Sequence, residues 1–157
     1  MQDALSVKQL AEFSHAVRES TLKRLRAVPE GFENWRITQD AMSFADIAQH
    51  LIDADDWLFK KLEVKDLEPL TGRSGIARID NRDDYLSLLE SLENRGRQRS
   101  ELIESLTETQ LAEHIYDRRF GGEVAVWWII VRGNLDHEIH HRGQIAVYLR
   151  VLTEEGV

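Results

Sequence analysis

From Asp136 to Gln144 the chain reads Asp-His-Glu-Ile-His-His-Arg-Gly-Gln, inside an otherwise apolar run from Val124 to Leu152. On a helix each residue advances about 100°. His137, His141 and Gln144 therefore fall within roughly 40° of one line, which also carries Val126, Ile130, Tyr148 and Val151. Two imidazoles and an amide interrupt a stripe that should face a core. An unpaired polar group buried there costs about 1 to 3 kcal/mol, and two imidazoles one turn apart find a common partner most simply in a divalent metal ion.

Two histidines make half a site, so a third ligand is sought on the other inward faces. His50 is the strongest candidate, because it sits among Ile47, Leu51, Ala54 and Trp57 at helical spacing. His15 lies beside Arg18 and Glu19 on a mixed face, and His114 falls in a loop-like segment. His140 is a rival, within one turn of His137 and about 60° away from it. Alone, each of these residues has an ordinary reading as a hydrogen-bonded core histidine.

Around them, Asp53 lies one turn beyond His50 and is a weak candidate for a catalytic base or a partner of an imidazole, its alternative being a solvated carboxylate. Gln144 is a second weak catalytic candidate, as support for His141 or as a substrate contact. Glu138 projects about 100° from the stripe and is expected to pair with a basic side chain. Arg142 points away in a structural role. Gly143, a mid-helix glycine, is expected to let a neighbouring helix approach closely. Trp57 could wall the site, although an aromatic at this spacing is more often plain core, as for Trp127, Trp128 and Tyr148. The chain contains no cysteine, so any metal must be held by nitrogen and oxygen ligands.

The elements that must position these groups read as helices. Two prolines and nine glycines in 157 residues leave little punctuation for an all-β chain, and good helix formers dominate. A first helix is expected from about Leu5 to Val28, with Leu10, Phe13, Val17, Leu22 and Leu25 inward and Pro29-Glu30-Gly31 as its stop. Ser43 with Asp46 three residues on resembles a capping box and opens a second helix to about Val64. Its inward face is Ile47, His50, Leu51, Ala54, Trp57, Leu58 and Lys61. A polar connector with Pro69, Gly72 and Gly75 follows, long enough to cross over along a bundle. Asn81 is placed to cap a third helix from about Arg82 to Leu106, with Tyr85, Leu88, Leu89, Leu92, Leu102 and Ile103 inward. Thr107 to Ala112 adds a helical turn, and His114 to Gly122 is extended or hairpin-like. A last helix is expected from Glu123 to Leu152, apolar on more than one face, as in a central helix or one that also serves a dimer interface. The irregular segments Phe32 to Met42 and Ile115 to Gly122 are left to shape a substrate pocket. An all-α four-helix bundle in one domain over 1–157 is the simplest arrangement.

A net charge of -8 disfavours a nucleic-acid or anionic-membrane surface. Arg95, Arg97 and Arg99 form a small basic run, but Glu90, Glu93, Glu101 and Glu104 surround it, and a solvated helix face is expected. No stretch of about 18 apolar residues lacks charge. The opening MQDALSVKQL shows no basic segment followed by an apolar one, so a cytoplasmic protein is expected.

The string Ser43-Phe-Ala-Asp-Ile-Ala-Gln-His50-Leu, followed later by His137-x-x-x-His141-Arg142-Gly143-Gln144, resembles the DinB/YfiT-like family of candidate metalloenzymes. The likeness covers the whole chain in length and helix order, and its specificity rests on the His-x-x-x-His-Arg-Gly-Gln string. It implies a four-helix bundle of up-down-down-up connection, a divalent metal such as nickel or zinc on His50, His137 and His141, and a homodimer. Some relatives act on low-molecular-weight thiols, which makes a hydrolase or a thiol S-transferase acting on a small molecule the expected activity. The alternatives are a non-catalytic binding or stress-response module in which a metal only ties helices together, and a metal-free helical dimer with core histidines.

Overall fold

The computed structural model describes residues 6–70 and 77–156. The expected start of the first helix at Leu5 and the connector glycines Gly72 and Gly75 lie outside the described residues. Four long helices carry the fold among the described residues: α1 (Val7–Arg26), α2 (Phe44–Glu63), α3 (Arg82–Ser105) and a final helix that ends at Glu154. Between α3 and the final helix come a short α4 (Glu108–Ala112) and an antiparallel hairpin. The hairpin pairs β1 (His114–Asp117) with β2 (Gly122–Ala125) in the register His114 to Ala125, Ile115 to Val124, Tyr116 to Glu123 and Asp117 to Gly122. A single 3-10 turn, Arg118–Phe120, joins the strands, and Gly121 takes the left-handed φ of +75° that closes it, a conformation glycine adopts without a Cβ clash.

Helix starts follow local chemistry. Ser43 accepts from the Asp46 backbone N–H while Asp46 accepts from the Ser43 N–H, the reciprocal capping box. Ser6 with Gln9 and Thr107 with Gln110 do the same for α1 and α4, and Asn81 caps α3 through the Asp84 N–H. Each satisfies donors that have no intrahelical partner.

The final helix differs from expectation at its start. Residues 122–125 pair as strand β2 rather than opening the helix, because their backbone groups find partners on β1. The helix begins with α5 (Val126–Trp128), passes through a π-helical segment over Ile129–Leu135, and continues as α6 (Asp136–Glu154). A π segment bonds i to i+5 and holds more residues per turn. The uniform 100° count from Val126 and Ile130 to His137 therefore does not hold across it.

Two apolar clusters form the core. One gathers Leu22, Leu25, Phe44, Ile47, Leu51, Tyr85, Leu92, Ile145 and Leu152, with further neighbours. The other gathers Leu10, Leu58, Ile103, Ile115, Ile129, Ile130 and Leu135. Each long helix contributes to both. Between its two contributions lies polar sequence: Ser14, Arg18 and Thr21 on α1, Asp55 on α2, Arg99 on α3, and Asn134, Glu138 and His141 on the final helix, all buried.

Arg99 is fully buried, which corrects the solvated reading of the basic run. Its guanidinium leaves the surface because Asp55, Glu138, Asn134 and Ser14 all meet it in the core. Arg95 does pair near the surface, with Asp56. Phe13, expected inward, is 48% exposed, since Leu10, Ser14, Val17 and Arg18 take the inward positions. Gly143 is exposed, and a Cβ there would meet nothing within 4 Å, so it does not mark a close helix approach. That role falls to Gly96 on α3, where a Cβ would stand 2.6 Å from Cγ of Arg18. On α2 the expected inward face holds, with Lys61 buried and its ammonium donating to the carbonyls of Leu67 and Tyr116. Trp57 is half-buried.

Candidate metal centre

His50 reaches the centre from the middle of α2, and His137 and His141 from the first two turns of α6. Their Nε2 atoms converge. His137 Nε2 lies 2.9 Å from His50 Nε2 and 3.0 Å from His141 Nε2, and one ring nitrogen from each of the three falls within 4.8 Å of the others. His50 and His141 are 7% and 6% exposed, while His137 is half-buried. His137 is thus the most exposed of the three rings.

The protonation pattern suits a cation. His141 Nδ1 lies 2.7 Å from Gln144 Oε1; an amide oxygen only accepts, so Nδ1 carries the proton and the lone pair of a neutral ring sits on Nε2. His137 Nε2 stands within 3.0 Å of the Nε2 atoms of both His50 and His141 and, when the ring is neutral, carries either one proton or one lone pair. Hydrogen bonds alone therefore satisfy only one of the two contacts. Two nitrogens held about 2.1 Å from one ion lie about 3.0 Å apart at a right angle and about 3.4 Å apart at a tetrahedral angle, so the rings are already close to ligand spacing.

Burial, the largest cause, pushes His137 down to about 3, with His141, His50, His140 and Arg119 adding unfavourable charge. Burial likewise pushes His141 down to about 4, against the opposing hydrogen bond to Gln144. His50 is lowered by burial, partly offset by Asp53. All three rings are therefore neutral near pH 7, as ligation requires.

The remaining sequence candidates divide clearly. Gln144 is in direct contact with His141 and fixes its tautomer. Asp53 is half-buried and accepts from Gln49 Nε2 at 3.0 Å, so its carboxylate is near His50 but turned to an amide. His140 is exposed and stands outside the three-nitrogen group, its ring centroid 5.1 Å from that of His141. His15 is exposed near Glu19, and His114 is exposed on β1.

Glu138 takes the role expected of it, with more partners than its position suggested. Its carboxylate accepts from Arg18 Nε and Nη2, from Arg99 Nη1 and from Thr21 Oγ1. Asp55 joins both guanidinium groups and Asn134 Nδ2. Two cations and two carboxylates balance, and they brace the first turn of α6 from which His137 projects. Arg18, Asp55, Arg99 and Asn134 were not legible as parts of this support.

Arg119 is a further neighbour that residue patterns missed. It lies in the segment expected to shape a pocket, stacks its guanidinium 4.4 Å from the Trp57 ring centroid, and binds Asp117 through Nε and Nη2. The Arg118-Arg119 pair ahead of Gly121-Gly122 is the only sequence signal that could have drawn attention to it.

The model of the DinB superfamily matches residues 14–145, and the chain belongs to that superfamily. A DinB-like protein from Bacillus subtilis, YjoA, has a similar solved structure, with a TM-score of 0.68 at 19% sequence identity over 92% of each chain. That similarity concerns the fold. No curated protein matches the chain. No helix among the described residues is long and apolar enough to cross a membrane.

Proposed function

We propose that the protein is a divalent-metal-dependent enzyme acting on a small molecule, with His50, His137 and His141 as the metal ligands. The observation that carries this reading is the convergence of three neutral Nε2 atoms whose contacts hydrogen bonds cannot all satisfy. Nickel or zinc suits a site of nitrogen donors without thiolate. When bound there, such an ion would supply Lewis acidity toward a substrate atom or water. The chain's own residues do the rest: Gln144 holds His141 in one tautomer, the Glu138 network holds α6, and the half-buried His137 leaves the open side through which substrate enters. Asp53, whose charge acts on His50, is a candidate base once parted from Gln49. Hydrolysis and transfer to a low-molecular-weight thiol are the two reaction types that this arrangement and the family membership favour.

The order in which the long helices pass between the two apolar clusters supports an up-down-down-up four-helix bundle: α1 and α6 run from the hairpin-side cluster to the other, α2 and α3 the reverse. We read the exposed apolar residues of α6, Val147 among them, as part of a homodimer contact.

The test is elemental analysis of untagged protein beside a His50→Ala/His141→Ala variant. About one nickel or zinc ion per chain, lost in the variant, is expected, together with metal-dependent turnover of ester or thiol-transfer substrates. Protein that carries no metal and takes up neither ion overturns the proposal.

A further inference from the structure

Asn134 is 2% exposed and lies in the π-helical segment, three residues before His137. Its amide joins three helices. Nδ2 donates to the Ala54 carbonyl at 3.3 Å and to Asp55 Oδ1 at 3.2 Å, both on α2, while Oδ1 accepts from Arg99 Nη1 on α3 at 3.0 Å. A carbonyl and a carboxylate only accept and a guanidinium only donates, so these partners fix which end of the amide faces which helix.

The amide contact and the imidazole contact share one axial scale. From Ala54 back to His50 is four residues, about 6 Å along α2, and from Asn134 on to His137 is three residues, about 4.5 Å along the final helix. Along α2 the chain passes from the cluster of Phe44 and Ile47 to that of Leu58, whereas along the final helix it passes from the cluster of Ile129 and Ile130 to that of Ile145. The two steps therefore point the same way, and they agree to about 1.5 Å, the rise of one residue. The Asn134–Ala54 bond and the His50–His137 contact of 2.9 Å are neighbouring rungs of one register.

Other contacts between these helices are more compliant. Apolar faces attract without direction, and packed helices slide by shear. Glu138 is linked to Asp55 through Arg18 and Arg99, two long side chains from α1 and α3. Among the described residues, Asn134 is the one side chain of the final helix that hydrogen-bonds to the α2 backbone. Metal ligation tolerates only a few tenths of an ångström, and a slip by one residue would move His137 about 1.5 Å along the axis.

We infer that Asn134 is a positioning residue that sets the axial register of the final helix against α2, so that His137 meets His50. Its use in metal binding rests on the reading proposed above, whereas the register belongs to the metal-free protein as well.

The experiment compares the full chain with Asn134→Leu and with Ser14→Ala, all carrying 15N-labelled histidine. Ser14→Ala removes the acceptor of Arg99 Nε from the same buried network without touching α2, so both variants should lower the urea midpoint and only one should disturb the histidines. In metal-free protein, a 15N–15N coupling through the hydrogen bond made by His137 Nε2 reports that contact directly. The coupling is expected in the parent and in Ser14→Ala, and its loss in Asn134→Leu. Cobalt is then added, because its visible bands report the number and geometry of imidazole ligands. Binding about tenfold weaker or more, with altered bands, is expected in Asn134→Leu, and affinity within a few-fold with unchanged bands in Ser14→Ala. Asn134→Asp keeps the acceptor for Arg99 and loses the donors to α2; it should behave as Asn134→Leu does, and it replaces that variant if the leucine prevents folding. Coupling and cobalt bands retained in the Asn134 variants, equal loss in Ser14→Ala, or no coupling in the parent overturns the inference. A parent that shows the coupling yet takes up neither cobalt, nickel nor zinc overturns the metal reading instead and leaves the register role standing.

Discussion

Arg18 and Glu138, 120 residues apart in the chain, meet in the core through Nε and Nη2 contacts of 2.7 to 3.2 Å. Glu138 neighbours His137 in sequence, yet its carboxylate turns from the three-histidine cluster to the guanidinium groups of Arg18 and Arg99. Breaking the pair from the acidic side leaves two buried cations facing Asp55 alone. Glu138→Ala should therefore lower unfolding free energy by about 3 to 5 kcal/mol, the usual range when one partner of a buried pair is removed. Urea denaturation measures it, and a loss below about 1 kcal/mol would show that water enters and replaces the carboxylate.

Acid should weaken the fold in two stages. The three histidines are held neutral by burial, with His137 at about 3 and His141 at about 4, while in the unfolded chain they protonate near 6.5. Their folded values are depressed, so the stability they contribute is complete above about 6.5 and declines as pH falls toward 4 and 3. Glu138 is lowered from 4.5 to about 2, with burial opposing and Arg99 and Arg18 outweighing it. Its contribution, on the order of 3 kcal/mol, is complete above about 4.5 and is lost as pH falls from there through 2. Asp46 and Asp117 are also lowered, by hydrogen bonds and arginine charges that outweigh burial, and add in the same direction. Urea midpoints of metal-free protein at pH 7.5, 5.5 and 3.5 should fall in sequence; a flat series contradicts the scheme.

Gln144→Leu removes the acceptor for His141 Nδ1 without touching a ligand atom. Loss of such a partner typically weakens metal binding 10- to 100-fold. Competition with a chromophoric chelator gives the affinity, and a value equal to that of the parent protein would mean that the tautomer is fixed by other means.

His140→Ala separates the two possible pairings on α6. Because His140 is exposed and outside the convergent group, the variant should keep one metal ion per chain with affinity within a few-fold, whereas His137→Ala should lose it. Equal loss in both would reinstate His140 as a ligand.

Much of this architecture is local and could be read from residues. Caps at Ser43 and Asn81, the hairpin before the last helix and the inward faces of α2 and α3 depend on neighbours within a few positions. The three histidines were also legible, since each interrupts an apolar stripe. What could not be read was decided by partners far along the chain. Arg99 resembles a surface arginine because Glu101 and Glu104 follow it, and only the fold brings Asp55, Glu138 and Ser14 to it. Phe13 has the apolar character of a core residue but loses the inward position to Ser14 and Arg18, which serve the buried ions. The glycine whose absent side chain matters to helix packing is Gly96 rather than Gly143, because Arg18 must pass beside α3.

The π-helical turns before His137 have a consequence for how one helix can serve two neighbours. A helix of uniform pitch keeps a single angular phase from end to end, so a face set by one contact dictates the face presented to every other. Here Val126, Ile129 and Ile130 pack with the hairpin cluster, and His137 and His141 meet His50 further on. The wider turns between them reset the phase, so the half that grips the hairpin and the half that aims the imidazoles are each free to suit their own surroundings.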